Sequence, residues 1–311
     1  VHIKVSSLSF CKNNLLRAEL EQHFDHVSYW NESRVATSVE MEQFIEDADG
    51  LILGTEVLSQ KAIQKAPRLK VVSKYGVGLD NVDQQALQNT GIHFGFTPGV
   101  NRLCVAELAL CFLLGLTHNV FWKGFLLKQG IWEKDGGILC KGRTIGILGF
   151  GNVGQQLAKL LQGFDVNLLA CDIEDRSQQA QELNVTMVDQ ETLFQRSEVL
   201  SLHVPLTELT SKIIHSGNLA TMPKGSFLIN TARGALINEN DLLDALESQH
   251  LSGAALDVFE IEPPKNEKLL SHPRLMVTPH IGGNAREAKL AMGRSAIDHI
   301  VRFATNSGLM T

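Results

Sequence analysis

Short continuous runs of apolar residues alternate along the chain with longer segments in which apolar positions recur every three or four residues. Continuous runs suit strands buried on both faces of a parallel sheet, and the periodic segments suit the helices that cover those faces. In the first third, strands are expected at Val1–Leu8, Gly50–Gly54, Leu69–Lys74 and Ile92–Phe94. Between them, Asn13–Phe24 carries Leu15, Leu16, Leu20 and Phe24 at helical spacing, and Gln84–Gln88 reads as a short helix. One long helix is expected from about Arg102 to Lys128. It is apolar nearly all round across Leu108–Leu116, which predicts burial, a passage from a first domain into a second, and a candidate subunit interface. The later strands are expected at Thr144–Leu148, Val166–Cys171, Glu198–Leu202, Gly225–Asn230, Ser252–Leu256 and Leu275–Val277, with a helix at Asn240–Ser248. The last helix, about Asn284–Phe303, has no partner nearby in sequence and is expected to return to the first domain. The pattern predicts an α/β protein of two parallel-sheet domains. A discontinuous one is formed by residues 1–101 and 283–311, the other by residues 102–282, with a cleft between the lobes.

The stretch Arg143–Asp172 organises this plan. After the strand Thr144–Leu148 come Gly149, Gly151 and Gly154 in the pattern G-x-G-x-x-G, then a helix with Val153, Leu157, Leu160 and Leu161 on one face, then a strand ending at Asp172. Gly149 permits a tight turn, Gly151 lets a pyrophosphate approach the backbone, and Gly154 lets helix and strand pack closely. The helix N-terminus offers N–H groups and a positive dipole end to phosphates. Asp172, 23 residues after Gly149, can accept hydrogen bonds from ribose hydroxyls, and its charge repels a 2′-phosphate, so NAD is expected in preference to NADP.

Composition narrows the function classes. The chain has 311 residues, 44% hydrophobic and 20% charged, with a net charge of −6 and no long basic run, which argues against general nucleic-acid binding. Five scattered cysteines form no metal-site spacing and are expected to be reduced thiols; no metal is expected. The N-terminus lacks the apolar run of a signal peptide, and Leu108–Leu116 is too short to span a bilayer, so a cytoplasmic protein without membrane contact is expected.

Two regions carry candidate chemistry. Lys74-Tyr75-Gly76-Val77-Gly78-Leu79-Asp80-Asn81 follows a strand end, where the backbone N–H groups of Val77 and Gly78 can bind a carboxylate. Arg233, Asp257, Glu262 and His280 each lie just past a predicted strand end in the nucleotide half, and such ends line one crevice of an open α/β sheet. Hydride transfer from a secondary alcohol needs a base for the hydroxyl proton, and His280 fits. It needs a cation for the substrate carboxylate, and the Arg233 fork fits. It needs a carboxylate to orient the imidazole, with Glu262 the choice and Glu260 the near competitor; both precede Pro263-Pro264.

At this point the chain resembles the D-isomer-specific 2-hydroxyacid dehydrogenases, and within them the D-3-phosphoglycerate dehydrogenase group, over nearly its whole length. KYGVGLDNVD is similar to that family's substrate loop, FGFTPGVN followed by AELAL to its crossover, and ILGFGNVG with Asp172 to its NAD fingerprint. LINTARGALINENDLLDAL, ALDVFEIEPP and VTPHIGG resemble its three catalytic blocks, in order. The resemblance implies a Rossmann NAD domain, a flavodoxin-like substrate domain, and a homodimer paired through the long helix. It implies Arg233 for substrate binding, Glu262 rather than Glu260 as the histidine's partner, and His280 as acid/base. It also implies NAD contacts at Thr97, Asn152, Val153, Asp172, Val204 within His203-Val204-Pro205, Thr231, Ala232, Arg233, Asp257, His280 and Gly282-Gly283. Asp257 would meet the nicotinamide carboxamide, and Val77 and Gly78 the substrate carboxylate. The regulatory domain of longer members is not expected.

The resulting expectation is NAD-dependent interconversion of a D-2-hydroxy acid and its 2-oxo acid, with D-3-phosphoglycerate of serine biosynthesis as first substrate. Lys74, a basic residue just before the substrate glycines, would meet the phosphate, with Arg102 and Lys12 as lesser candidates. The alternatives are a glyoxylate or hydroxypyruvate reductase, which needs no phosphate site, and an NADH-sensing corepressor of the same fold.

Overall fold

A computed structural model describes residues 1–308; residues 309–311, at the end of the segment expected to close the substrate domain, lie outside the described residues. Two compact units form, one from Val1–Asn101 together with the chain from Gly283 onward, the other from Arg102–Gly282.

The first unit holds a parallel sheet of β1 (His2–Val5), β2 (His26–Tyr29), β3 (Gly50–Leu53), β4 (Val71–Lys74) and β5 (His93–Gly95), in the order β2-β1-β3-β4-β5. This is the flavodoxin-like order, with its reversal of direction at β1/β3. Side chains alternate across it. Ile3, Val5, Ile52 and Val71 pack on one face with the helix Arg286–Asn306, while Leu51, Leu53 and Val72 pack on the other. The strand expected over Val1–Leu8 stops at Val5, because Ser7 turns out to cap the short helix Leu8–Cys11, accepting from the Phe10 N–H.

The second unit holds β6 (Thr144–Leu148), β7 (Asn167–Cys171), β8 (Val185–Met187), β9 (Val199–Leu202), β10 (Ser226–Asn230), β11 (Leu251–Leu256) and β12 (Leu275–Val277), in the order β12-β11-β10-β9-β6-β7-β8, all parallel. Ile145, Ile147, Ala170 and Ile229 face one apolar layer; Leu148, Leu169, Leu200 and Leu228 face the other. The connections run outward in both directions from β6 and β9, so the sheet switches direction where β6 delivers the glycine turn.

The long helix expected from Arg102 to Lys128 is two helices, Arg102–Thr117 and Val120–Lys128, bent by 65°. Asn119 makes the break by adopting a left-handed backbone conformation at φ 55°, which asparagine tolerates better than most residues. Among the described residues no single helix is long and apolar enough to cross a membrane.

Candidate active site

The glycine turn leaves β6 at the switch point. Gly149 has φ 94°, and a Cβ there would lie 2.7 Å from the His203 carbonyl carbon, so only glycine suits it. A Cβ on Gly154 would lie 2.2 Å from the Gly149 carbonyl oxygen, which fixes how closely the helix Asn152–Leu160 approaches the strand. At Gly151 a Cβ would meet nothing within 4 Å, and no side chain caps this helix. The first N–H groups of the helix therefore face an open cradle suited to a pyrophosphate. Asp172 ends β7 and accepts from the Phe150 N–H at 2.6 Å through Oδ2 and from the Glu174 N–H at 3.0 Å through Oδ1. Its carboxylate is thereby held beside the turn.

The other strand ends bring further residues to the same edge. His203, Val204 and Pro205 follow β9. The His203 Nε2 pairs with Ser201 Oγ at 2.9 Å, and burial pushes its imidazole down to about 4, so it is neutral. Thr231 and Ala232 follow β10; Thr231 Oγ1 is buried without a hydrogen-bond partner among the described residues, as suits a group waiting for a ligand atom. These features fit a bound dinucleotide. Thr97 and Gly283, expected among the same contacts, belong to the first unit, where Thr97 Oγ1 pairs with Ser295 Oγ at 2.6 Å and His299 Nε2 at 3.1 Å.

Arg233, Glu262 and His280 come together at the ends of β10, β11 and β12. His280 Nδ1 donates to Glu262 Oε2 at 2.7 Å, while Glu262 Oε1 accepts from the Phe259 N–H at 3.1 Å. Glu260 is turned elsewhere: its carboxylate meets Lys212 at 3.1 Å. The hydrogen bond to Glu262 raises the His280 pKa against the opposing effect of burial; the charges of Glu262 and Asp257 add to the rise and Arg233 opposes it. Burial resists ionisation of Glu262, yet His280 and Arg233 hold its carboxyl below the usual range. Nδ1 serves Glu262, and both side chains keep about two-fifths of their surface in solvent, 44% for His280 and 38% for Glu262.

Arg233 sits in an extended conformation, with Asn230 Nδ2 donating to its carbonyl at 2.7 Å and one guanidinium N–H donating to the Ala232 carbonyl at 2.7 Å. The next residue, Gly234, lies against the Phe259 backbone, where a Cβ would come within 1.8 Å of the carbonyl carbon. That contact locks the arginine loop to the loop carrying Glu262.

Asp257 has a role the motif reading did not assign. It is 1% exposed, and its oxygens accept from Thr278 Oγ1 at 2.6 Å and from the Ile281 and Gly282 N–H groups, each at 2.7 Å. The His280 N–H also donates to the Asp257 carbonyl at 2.8 Å, in a residue with φ 51°. The geometry makes Asp257 the anchor of the histidine turn. Lys74 is likewise not an open cation. It is 4% exposed, and its ammonium donates to the Gly54 carbonyl and to Asn81 Oδ1, the latter at 2.8 Å. Val77 and Gly78 lie half-buried in the loop beyond it.

An open dinucleotide cradle and an imidazole–carboxylate pair on one sheet edge define a nicotinamide-dependent oxidoreductase of the Rossmann class. The family model of the D-isomer specific 2-hydroxyacid dehydrogenase, NAD binding domain, matches residues 110–282, and the chain belongs to that NAD-dependent family. It is 33% identical over 293 residues to a glyoxylate reductase of Thermococcus litoralis, covering 91% of this chain and 88% of that one. It is 37% identical over 277 residues to a D-3-phosphoglycerate dehydrogenase of Methanocaldococcus jannaschii, covering 86% of this chain but only 53% of that one. A solved NAD-dependent formate dehydrogenase from Staphylococcus aureus, in complex with NAD, superposes with TM-score 0.85 at 28% identity, over 98% of this chain and 96% of that one.

Asp257→Ala would leave three donors without their acceptor. At about 1–3 kcal/mol for each buried group left unsatisfied, thermal unfolding should show a loss on the order of 3 kcal/mol, with turnover falling as the histidine turn loosens. Unchanged stability would show that Asp257 does not hold the turn.

Proposed function

We propose that the chain reduces a small unphosphorylated 2-oxo acid, of the glyoxylate or hydroxypyruvate class, to the D-2-hydroxy acid, and runs the reverse oxidation at the same site. The observation that carries this reading is the burial of Lys74, whose ammonium is bonded inside its own unit and offers a phosphate little. The glyoxylate reductase relative, matched over most of its length, supports it. The second reading, D-3-phosphoglycerate oxidation, is favoured by the phosphoglycerate dehydrogenase relative at slightly higher identity.

A nicotinamide cofactor bound at the glycine cradle would supply the hydride as NADH in reduction and accept it as NAD⁺ in oxidation. Arg233 holds the substrate carboxylate and polarises the reacting oxygen. In reduction, His280 Nε2 gives its proton to the carbonyl oxygen as that oxygen becomes a hydroxyl; in oxidation it takes the hydroxyl proton. Glu262 fixes the ring through Nδ1 and stabilises the imidazolium. Within the first unit, the backbone N–H groups of Val77 and Gly78 are the proposed donors to a substrate carboxylate, with Lys74 bonded to the Gly54 carbonyl and Asn81.

Nicotinamide absorbance during turnover tests the substrate. Glyoxylate or hydroxypyruvate should be reduced in preference to 3-phosphohydroxypyruvate. Selective turnover of the phosphorylated acid would replace this reading with the second one. NADH binding without turnover of any acid would return the sensor.

The pH dependence follows from the raised His280 pKa. Reduction needs the imidazolium, so its rate holds below that pKa and falls as pH rises through it; oxidation needs the neutral ring and rises over the same interval. Glu262→Gln removes the main cause of the shift. Both limbs should move to lower pH, and reductive kcat/KM near neutrality should fall on the order of tenfold to a hundredfold. A pH–rate profile matching the unsubstituted enzyme would sink the pairing.

A second copy of the chain is the proposed cover for the exposed apolar residues Val120, Phe121, Phe125, Leu127 and Trp132. Sedimentation should report a dimer, and Phe125→Asp should shift it toward monomer; a monomeric unsubstituted protein would exclude the pairing.

A further inference from the structure

Three loops leave the carboxyl ends of the adjacent strands β1, β3 and β4, and one buried polar network ties them together. Glu56, 1% exposed, accepts through Oε2 from Ser6 Oγ at 2.8 Å and from the Gly54 N–H at 2.9 Å. The Gly54 carbonyl accepts from the Lys74 ammonium and from Asn81 Nδ2, the latter at 3.0 Å. Asn81 Nδ2 also donates to the Glu56 carbonyl at 2.5 Å, and Asn81 Oδ1 accepts from Lys74. Gly54 is required at this crossing, since a Cβ there would lie 2.9 Å from Ser7 Cα. The carboxylate thus grips one main-chain group of Gly54 and the ammonium the other.

The same contacts clamp the loop between Lys74 and Asn81 at both ends. At its start, the Tyr75 N–H donates to the Leu53 carbonyl at 2.8 Å, directly after Lys74. At its finish, the Asn81 carbonyl accepts from the Leu58 N–H at 2.8 Å, while its side chain is held by Lys74 and the two carbonyls. Between the clamps the chain turns through Gly76 at φ 114°. Val77 and Gly78 therefore sit on a short span whose two ends are fixed to one buried cation.

We infer that Lys74 is a positioning residue for the substrate loop: its ammonium, bridging the Gly54 carbonyl and Asn81, holds the N–H groups of Val77 and Gly78 in their carboxylate-binding arrangement. This rests on the reading of those two groups as the carboxylate donors. A lysine in this role acts on every 2-oxo acid alike, because each has the carboxylate. A lysine that touched a phosphate would act on phosphorylated acids alone. A buried ammonium is costly to assemble, and removing it takes away the donor to Asn81 Oδ1 and one of the two donors to the Gly54 carbonyl.

The test uses Lys74→Met, which keeps the length and apolar stem, and Asn81→Ala, which removes the bridging side chain while retaining the lysine. Hydrogen exchange should speed up by about tenfold or more at the amides of Gly76–Asp80 in both variants, with the strands of the same unit unchanged. KM for glyoxylate and for 3-phosphohydroxypyruvate, where each is turned over, should rise together by about tenfold, with kcat and NADH affinity nearly kept. Unaltered loop exchange would overturn the inference, as would a KM rise confined to the phosphorylated acid. Absence of turnover in the unsubstituted protein would defeat the functional reading, and the exchange measurement would still decide the role of Lys74. Should Lys74→Met not fold, the exchange and KM of Asn81→Ala decide it.

Discussion

The histidine turn after β12 depends on one buried carboxylate. The chain leaving β12 must place an imidazole at the sheet edge, and it does so with His280 at φ 51°, a conformation most side chains avoid. A turn of that kind directs its own N–H groups inward, where each needs an acceptor. Asp257, at the end of the neighbouring strand, supplies acceptors for Thr278, Ile281 and Gly282 through its side chain and for His280 through its carbonyl. Parallel pairing of β11 with β12 sets both ends at the same height, so register fixes the donor–acceptor geometry. Gly234 then presses the arginine loop against Phe259, and the loop bearing Glu262 follows.

With that frame in place the electrostatics become a balance among four charges. Glu262 and Asp257 favour the protonated imidazole, while Arg233 opposes it and favours an ionised Glu262. Arg233 thus has two electrical effects besides any contact with substrate. It keeps the carboxylate available to accept from Nδ1, and it limits how far the histidine pKa rises. Under the proposed function, acid–base action in both directions needs such a limit, since a ring held permanently charged could not act as a base.

Much of this was legible from the sequence, for physical reasons that differ by element. Strands covered on both faces are apolar throughout, so Gly50–Leu53, Thr144–Leu148 and Ser226–Asn230 stood out. The edge strands His26–Tyr29 and Val185–Met187 did not, because each is short and carries polar residues within it. The helix break at Asn119 was hidden inside an apolar stretch, where periodicity cannot register a single left-handed residue. Spacing alone left Glu260 and Glu262 open; the fold separates them by turning one toward Lys212 and the other toward His280. Lys74 read as a cation for a substrate phosphate because its partners, Gly54 and Asn81, meet it only through the fold. A carbonyl acceptor leaves no residue-type signal.

The two kinds of anion recognition in this chain bear on what it excludes. The dinucleotide cradle uses helix N–H groups, and the proposed carboxylate site uses loop N–H groups; neither brings a full positive charge of its own. Main-chain donors of this kind suit an anion of modest charge. A phosphate ester adds about −1.5 to −2 charge units, and desolvating that charge requires a matching cation. The lysine nearest the loop is committed to a carbonyl and an amide oxygen inside its own unit. On the proposed reading, selectivity against phosphorylated acids needs no steric barrier. It would follow from withholding a cation, since a competitor is rejected as effectively by a charge left unpaired as by a clash.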